Sequence, residues 1–473
     1  MRAPKAILWI MPEAPQNPGL GSALRQYWII RGAREALPDT RFICVSGRSW
    51  NFEEGMRRGL DLFDEVHWVT SAGDGVEASA STVFSKLAPY DFAYAASWWL
   101  DLLRPLRHKC VEVLDANPDI DVVHIEHLNL APIAVWLRRY TQAPIALSVH
   151  NTFSLMAGAE GHEGSAVARL GRRMLGLAAS AAHLTPAVWY DAPRNAVAKM
   201  AVKLSSRVDI RRASLPLAVA MDAWYSAKAD LVLCMSEQES MLLSQMGNPT
   251  FVAPNGASSA FLEPVLQARS ALAATEAATP VYGFVGTGAY PPYQAASKLL
   301  LETFIASPEL GRLRIAGFEM GKHVGALPEY ARCPKATVVN SPPELRPYLV
   351  DLEAMVMPIF SGAGTRLKVV EAVFAGIPII GSRKAVEGLR LEPERDYVLI
   401  DEATPASVEK AIRRYQAQRA YYYERVMTLR EKWLEQYDWL SIGGRVAGAL
   451  SQLRTDVRWG RHAEPAKQEA LRA

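Results

Sequence analysis

Short apolar runs alternate with amphipathic stretches along most of the chain. Ala6–Met11, Arg41–Ser46, Val66–Thr70, Asp121–Ile125 and Pro144–Val149 have strand length, while Ser22–Ala36, Ser97–Ala116 and Leu130–Tyr140 carry helical periodicity. This alternation predicts a parallel sheet covered on both faces. In such sheets ligands sit beyond the carboxyl ends of the strands. From residue 151 to 229 the pattern changes to a long, mainly helical stretch without clear strands. Alternation resumes with Leu231–Met235, a helix over Glu237–Met246, and Thr250–Ala253, before Pro254-Asn255-Gly256 breaks it. An Ala-rich connection is expected to about Pro280. A second alternating block follows, with strands at Val281–Val285, Leu313–Ala316, Ala336–Val339, Ala354–Met357 and Ile377–Ile380. Its helices are expected near Gln294–Ile305, Glu344–Leu349 and Thr365–Ala375, and a helix-rich stretch runs from about Thr404 to Leu453.

The pattern predicts an α/β protein with two doubly wound, Rossmann-like domains. The first is expected over 1–265, with a helical insertion at about 151–229, and the second over 266–425. Helices over 426–455 are expected to cross back to the first domain, and the charged tail 456–473 to be disordered.

Composition narrows the class. The 473 residues are 50% hydrophobic and 21% charged, which excludes wholesale disorder and suggests more than one core. Lys plus Arg number 52 against 49 Asp plus Glu, a net charge of +3 that lacks the basic excess of a nucleic-acid binder. Nucleic acid is therefore not expected as a partner. Cys44, Cys110, Cys234 and Cys333 show no paired spacing; buried, reduced thiols fit a cytoplasmic protein. The apolar run at the N-terminus meets Pro12 and Glu13 too soon for a signal peptide. The longest uncharged stretch, Met174–Tyr190, is Ala-rich and interrupted by His183 and Pro186, so no transmembrane span is predicted.

The sharpest chemistry lies in Ile359-Phe360-Ser361-Gly362-Ala363-Gly364-Thr365-Arg366-Leu367-Lys368-Val369-Val370-Glu371-Ala372. A buried strand runs into a Gly-rich turn and then a helix. Glycines let backbone amides approach an anion, and the helix start adds its positive dipole. Arg366 and Lys368 put two cations at that same end, which is costly unless an anion sits there. Glu371, about one turn further, can accept hydrogen bonds from sugar hydroxyls. The set describes a diphosphate-and-ribose site.

This segment resembles the signature of retaining GT-B glycosyltransferases of family four, the group-one glycosyl transferases. It is closest to the subgroup reading Gly-x-Gly-Thr-Arg-Leu-Lys followed by Glu-Ala. Tyr282-Gly-Phe-Val-Gly-Thr-Gly-Ala-Tyr-Pro-Pro-Tyr, Pro342-Pro-Glu-Leu-Arg-Pro-Tyr-Leu and Ala375-Gly-Ile-Pro-Ile-Ile-Gly-Ser resemble flanking donor-domain segments. Ala229-Asp-Leu-Val-Leu-Cys-Met-Ser-Glu and Pro254-Asn-Gly are similar to the end of the acceptor domain. The resemblance implies two Rossmann-like domains facing a cleft. Glu371 would hold the ribose, while Arg366, Lys368 and the amides after Gly362, through Gly364 and Thr365, would neutralise the diphosphate. Gly286 and Thr287 would line the opposite wall, and the turns after Ala316 and Val339 would flank the base. Many members carry two glutamates about two turns apart; the first position here is Ala363. The Arg and Lys that others carry after the first donor-domain strand are not evident in Thr287-Gly-Ala-Tyr-Pro-Pro-Tyr.

In the first half, Pro12-Glu-Ala-Pro-Gln-Asn-Pro-Gly-Leu-Gly-Ser-Ala-Leu-Arg resembles the family's first Gly-rich loop. Gly19 and Gly21 would permit close approach to donor phosphate and acceptor, although such a turn alone is also a plain loop. His150, after the strand Pro144–Val149, resembles the family's active-site histidine, and Glu126 is a second catalytic candidate at the preceding strand end. Strand alternation keeps His124, Glu126 and His127 from all pointing one way, so they are not read as a metal site. The resemblance implies transfer with retained configuration from a nucleoside-diphosphate-sugar, with no cofactor and no metal required.

The basic stretch 151–229, together with Ser97-Trp-Trp-Leu-Asp-Leu-Leu-Arg-Pro-Leu-Arg-His-Lys, can be read in two ways. One is an anionic-membrane surface with Trp98, Trp99 and Trp189 at headgroup depth, on the inner face of the cell membrane. The other is an amphipathic core pair with a solvated basic face. The first would suit a lipid-linked rather than a free glycan acceptor, in cell-surface polysaccharide assembly. A GT-B-fold nucleotide-sugar epimerase and a non-catalytic sugar-nucleotide-binding protein remain as alternatives.

Overall fold

The structure is a computed structural model that describes residues 3–16, 21–47, 59–69, 105–150, 152, 222–223, 226–272, 279–362 and 367–456. The chain forms two compact units. One comprises the chain through Ala253 and again from Gly443 onward, and the other Pro254–Ile442.

The first unit is built on a seven-stranded sheet with the order β3-β2-β1-β4-β5-β6-β7. Its strands are β1 Ala6–Met11, β2 Arg41–Gly47, β3 Glu65–Val69, β4 Ile120–Glu126, β5 Ile145–Ser148, β6 Leu231–Cys234 and β7 Thr250–Val252, all in parallel pairs. β1 is buried along its whole length, as expected of a central strand covered on both faces. Helix α1 (Gly21–Ala36) follows it. Residues 105–116 form a helix on the opposite side, where Leu106, Cys110, Val113 and Leu114 join the core with Leu8 and Ile10. Helix α2 (Glu237–Gln245) starts at Ser236, whose side chain accepts from the Glu239 amide.

The second unit repeats the plan with six strands in the order β10-β9-β8-β11-β12-β13. They are β8 Val281–Thr287, β9 Arg312–Phe318, β10 Ala336–Asn340, β11 Leu352–Met357, β12 Ile379–Gly381 and β13 Val398–Leu399, again all parallel. Helices α3 (Ser259–Leu272), α4 (Pro291–Ala306), α5 (Leu367–Phe374), α6 (Pro405–Ala417) and α7 (Arg419–Tyr437) surround the sheet. Helix α8 (Trp439–Asp456) starts in this unit and continues into the first.

The strand runs are found where expected, within a residue or two. Three expectations need correction. The Ala-rich connection to Pro280 contains helix α3, whose Leu262 and Val265 are buried in the second unit's core despite Pro264 inside the helix. The unit boundary accordingly falls at Ala253/Pro254, earlier than residue 265, and the chain returns to the first unit only from Gly443, later than residue 426. The helix expected at Glu344–Leu349 is a single 3-10 turn, Arg346–Tyr348, with Pro347 in its first positions. The 151–229 insertion outside 152, 222–223 and 226–229, the tryptophans at 98, 99 and 189, and the tail after Asp456 lie outside the described residues. Among the described residues no helix is long and apolar enough to cross a membrane. The four cysteines are free and buried.

Both sheets reverse strand order in the middle, between β1 and β4 in the first unit and between β8 and β11 in the second. A crevice beyond the carboxyl ends at such a switch point is where a doubly wound sheet binds ligands.

Candidate functional site

At the first switch point, β4 ends in Glu126 and pairs with Ser148 at the end of β5. His150 lies two residues beyond and turns its Nε2 to 2.7 Å from Glu126 Oε2. The other carboxylate oxygen, Oε1, lies 3.1 Å from Nε2 of His124, which shares Glu126's side of the strand. His127, the next residue after Glu126, takes a left-handed φ of 74° and stacks on the His150 ring at 3.9 Å between centroids. His124 is in turn stacked on Trp9 of β1. Strand alternation thus sets His124 and Glu126 on one side, and the strained His127 backbone brings the third ring onto His150.

Two charged side chains from other elements complete the cluster. Arg25 of α1 is 1% exposed and donates through Nη2 to the Ala253 carbonyl at 2.6 Å. Glu239 of α2 accepts from the Met235 amide at 2.9 Å and the Thr152 amide at 3.2 Å. Burial pulls the Arg25 guanidinium down to about 10, while Glu126 and Glu239 counter the fall, so it stays charged at neutral pH. Burial would raise the Glu126 carboxyl, but His124 and His150 together outweigh it and hold it well below the usual carboxylate range. Burial, then the nearby His150, push the His127 ring well below its ordinary value. Burial raises the Glu239 carboxyl against the pull of its amide donors.

Exposure separates the roles these groups can play. His124 is 0% and Glu126 1% exposed, whereas His150 keeps 7%. Of the hydrogen-bonded Glu126–His150 pair, His150 is the member positioned to meet a ligand, and the His127 ring stacked on it is also partly exposed. Of the Gly-rich loop, Gly21 opens α1, and Gly19 lies outside the described residues.

At the second switch point, β11 leads through Ile359 and Phe360 to Gly362, at φ +93°. Only glycine takes this conformation without strain. A side chain there would also strike the Tyr290 hydroxyl, which reaches across from the loop after β8. Gly364, Thr365 and Arg366 lie outside the described residues. The chain resumes as α5, whose Val369, Val370, Ala372, Val373 and Phe374 are buried. Their burial, about 1.5–3 kcal/mol for each large side chain, anchors the helix and turns Lys368 and Glu371 outward. Lys368 Nζ donates to Glu371 Oε2 at 2.7 Å, both side chains about a quarter exposed.

On the β8 side, Gly286 is buried under the Tyr293 ring, and Thr287 ends the strand partly exposed. Tyr290 and Tyr293 meet edge to face at 5.0 Å. Phe318, the last residue of β9, is 48% exposed and Glu319 after it adopts φ 53°; after β10, Ser341 adopts φ 44° and its hydroxyl accepts from the Glu319 amide. The strand ends therefore carry an exposed aromatic ring and two strained polar turns, the kind of backbone that collects at ligand sites. The structure brings Gly286, Thr287, Gly362, Lys368 and Glu371 to the strand ends of the second unit, and Glu126 and His150 to those of the first. Three contributors were not singled out by pattern: His124, Arg25 as a buried charge, and Glu239. The Ser236–Glu239 capping spacing is a signal that could have marked the last.

Residues 279–418, within the second unit, match the model of the family described as glycosyl transferases group 1. No curated protein sequence matches the chain significantly. Among solved structures, the sucrose-phosphate synthase of Thermosynechococcus elongatus is similar over 95% of this chain and 99% of its own, at 16% identity and a TM-score of 0.61. HepE of Anabaena, solved in complex with UDP, is similar over 94% of this chain and all of its own, at 15% identity and a TM-score of 0.57. The α,α-trehalose 6-phosphate synthase of Burkholderia multivorans covers 95% of this chain and 98% of its own, at 12% identity and a TM-score of 0.57. At such identities the likeness establishes the fold. The chain has the two-domain, Rossmann-like GT-B fold, and within its second unit residues 279–418 are similar to the group 1 glycosyl transferase model.

Proposed function

We propose that the protein is a nucleotide-sugar glycosyltransferase that moves a hexose-type sugar to a glycan or lipid-linked acceptor with retained configuration, in cell-surface polysaccharide assembly. One observation carries the reading. The group 1 domain match coincides with a left-handed Gly362 turn that leads into an outward-facing Lys368 and Glu371 at the switch point. In this reading Glu371 holds the ribose hydroxyls, while Arg366, Lys368 and the turn amides carry the diphosphate. These positive groups stabilise the departing nucleoside diphosphate, so no metal is assigned a role. The leaving phosphate accepts the acceptor's proton, and His150 meets the donor sugar. A uridine diphosphate is the first donor nucleotide to try, because the similar HepE structures hold UDP and UDP-glucose.

An epimerase would need dedicated acid and base carboxylates. Glu126, a buried carboxylate at the first switch point, is hydrogen-bonded to His150 and lies 3.1 Å from a second imidazole, His124. That favours transfer over epimerisation.

The test is a thermal-shift panel of nucleoside diphosphates and their sugars on the full chain, followed by Arg366→Ala and Glu371→Ala. Stabilisation by one nucleotide, lost in both variants, is the expected result. No stabilisation by uridine or guanosine diphosphate sugars would overturn the reading. A membrane-facing role for the basic 151–229 stretch predicts co-flotation with anionic vesicles at low salt, and its absence would remove that role.

A further inference from the structure

Glu126 is 1% exposed and offers a substrate no accessible oxygen. Oε2 is engaged by His150 and Oε1 lies against His124, and the side chain is buried beneath both rings. A carboxylate only accepts hydrogen bonds, so the nitrogen 2.7 Å from it must carry the proton. His150 is thereby fixed in the form protonated at Nε2. Two further contacts hold the ring in place. His127 lies flat on it at 3.9 Å, and the His127 amide donates to the Ser148 carbonyl at 3.0 Å, tying the strand ends from which both rings emerge. On the far side of Glu126, His124 is wedged against Trp9 with a centroid distance of 4.2 Å.

From this geometry we infer that Glu126 is a positioning residue, whose carboxylate selects the His150 tautomer and orients the ring so that Nδ1 is the atom offered to the ligand. The inference rests on the transferase reading for what His150 meets, but the tautomer is a property of the protein alone. Glutamine at position 126 cannot reproduce it. An amide accepts through its oxygen alone, so either its nitrogen faces His150 and requires that ring's other tautomer, or it faces His124 Nε2, 3.1 Å from Oε1, and removes the acceptor there. Aspartate keeps the acceptor pair on a shorter arm.

The experiment uses the full chain with its nine histidines labelled with nitrogen-15, the His150 signals being assigned by their loss in His150→Gln. The expected wild-type spectrum shows His150 protonated at Nε2. In Glu126→Gln the His150 or His124 signals move to the other tautomer, and kcat falls by about 10- to 100-fold, the usual effect of losing a group that orients a functional histidine. Uridine diphosphate affinity stays within about twofold, because the second unit is untouched. Glu126→Asp retains the wild-type tautomer and recovers part of kcat, and it serves as the reading if the glutamine variant does not fold. A wild-type His150 protonated at Nδ1 overturns the inference, as does a Glu126→Gln protein with unchanged histidine signals and unchanged kcat. A wild type that turns over no nucleotide sugar sinks the transferase reading, while the spectra still decide the tautomer.

Discussion

Lys368 and Glu371 neutralise each other across one turn of α5, with Nζ 2.7 Å from Oε2. The two groups assigned to diphosphate and ribose are therefore each other's partners before any ligand arrives. A partly exposed pair at this spacing contributes only about 0.5 kcal/mol, and helix α5 is held by its buried face. Lys368→Ala and Glu371→Ala should each move the melting temperature by no more than about 2 °C. Nucleotide binding should respond far more strongly. Loss of the carboxylate removes charged hydrogen bonds to hydroxyls worth about 1.5–3 kcal/mol, so Glu371→Ala should weaken uridine diphosphate by roughly 10- to 100-fold in calorimetric titration. Equal affinities in variant and wild type would remove Glu371 from the site.

The Gly362 turn joins two restraints, a left-handed backbone and the Tyr290 hydroxyl lying over it. Gly362→Ala should cost about 1–2 kcal/mol for the backbone alone, with an added packing cost where the methyl meets Tyr290. Combining it with Tyr290→Ala should recover the packing part and leave the backbone part. Urea titrations of the two single variants and the double variant resolve the two contributions.

The sheets were legible because buried parallel strands read as continuous apolar runs, as in Ala6–Met11 and Leu352–Met357. The Gly-rich turn was legible because a left-handed residue between a buried strand and a helix asks for glycine. Helix α3 was hidden by Pro264 and the nearby Pro254-Asn-Gly break, and β13 is two residues long, too short to show any alternation. The histidine cluster was only half legible. His150 and Glu126 could be placed at strand ends, but their contact depends on the Glu126–Ser148 register between β4 and β5. Apolar pattern does not encode that register. Lys368 and Glu371 were visible three residues apart, yet reading them as ligand groups concealed their own pairing.

Gly443 of α8 lies where a side chain would meet the Gly32 Cα and the Ile29 carbonyl of α1, each at 2.6 Å. Both obstacles are backbone, so neither can swing aside. Gly443→Ala should destabilise the first unit by about 2 kcal/mol, a drop in melting temperature of roughly 4–8 °C. Gly448, in the same helix, has nothing within 4 Å of its would-be side chain. There alanine should stabilise by up to about 1 kcal/mol through helix propensity. Opposite signs from the same substitution in one helix, read by calorimetry, would establish the close α1–α8 contact.

Acid should weaken the first unit in two stages, each traceable to a side chain in the histidine cluster. His127 is held well below its ordinary value by burial and by His150, so the folded chain takes up its proton later than the unfolded chain. Its neutral form supports the fold above about pH 6.5, and that support is lost as the pH falls from there toward the folded value. Over that span the slope contributed by this one proton approaches about 1.4 kcal/mol per pH unit. Glu126 follows at lower pH. Its carboxyl, depressed by two imidazoles against the opposing effect of burial, gives stability that is complete above about pH 4.3 and lost as the pH falls through the folded value. In the second unit Asp396 is held at about 2; burial would raise it, but Arg395, the Glu392 amide and Arg425 prevail, so its contribution persists until the pH falls below about 4. Denaturant unfolding of the wild type between pH 7 and pH 5 should show the first loss. His127→Gln should flatten the dependence across that interval without altering the steeper decline below pH 4. A variant with the wild-type slope between pH 7 and pH 5 would assign that loss to another group.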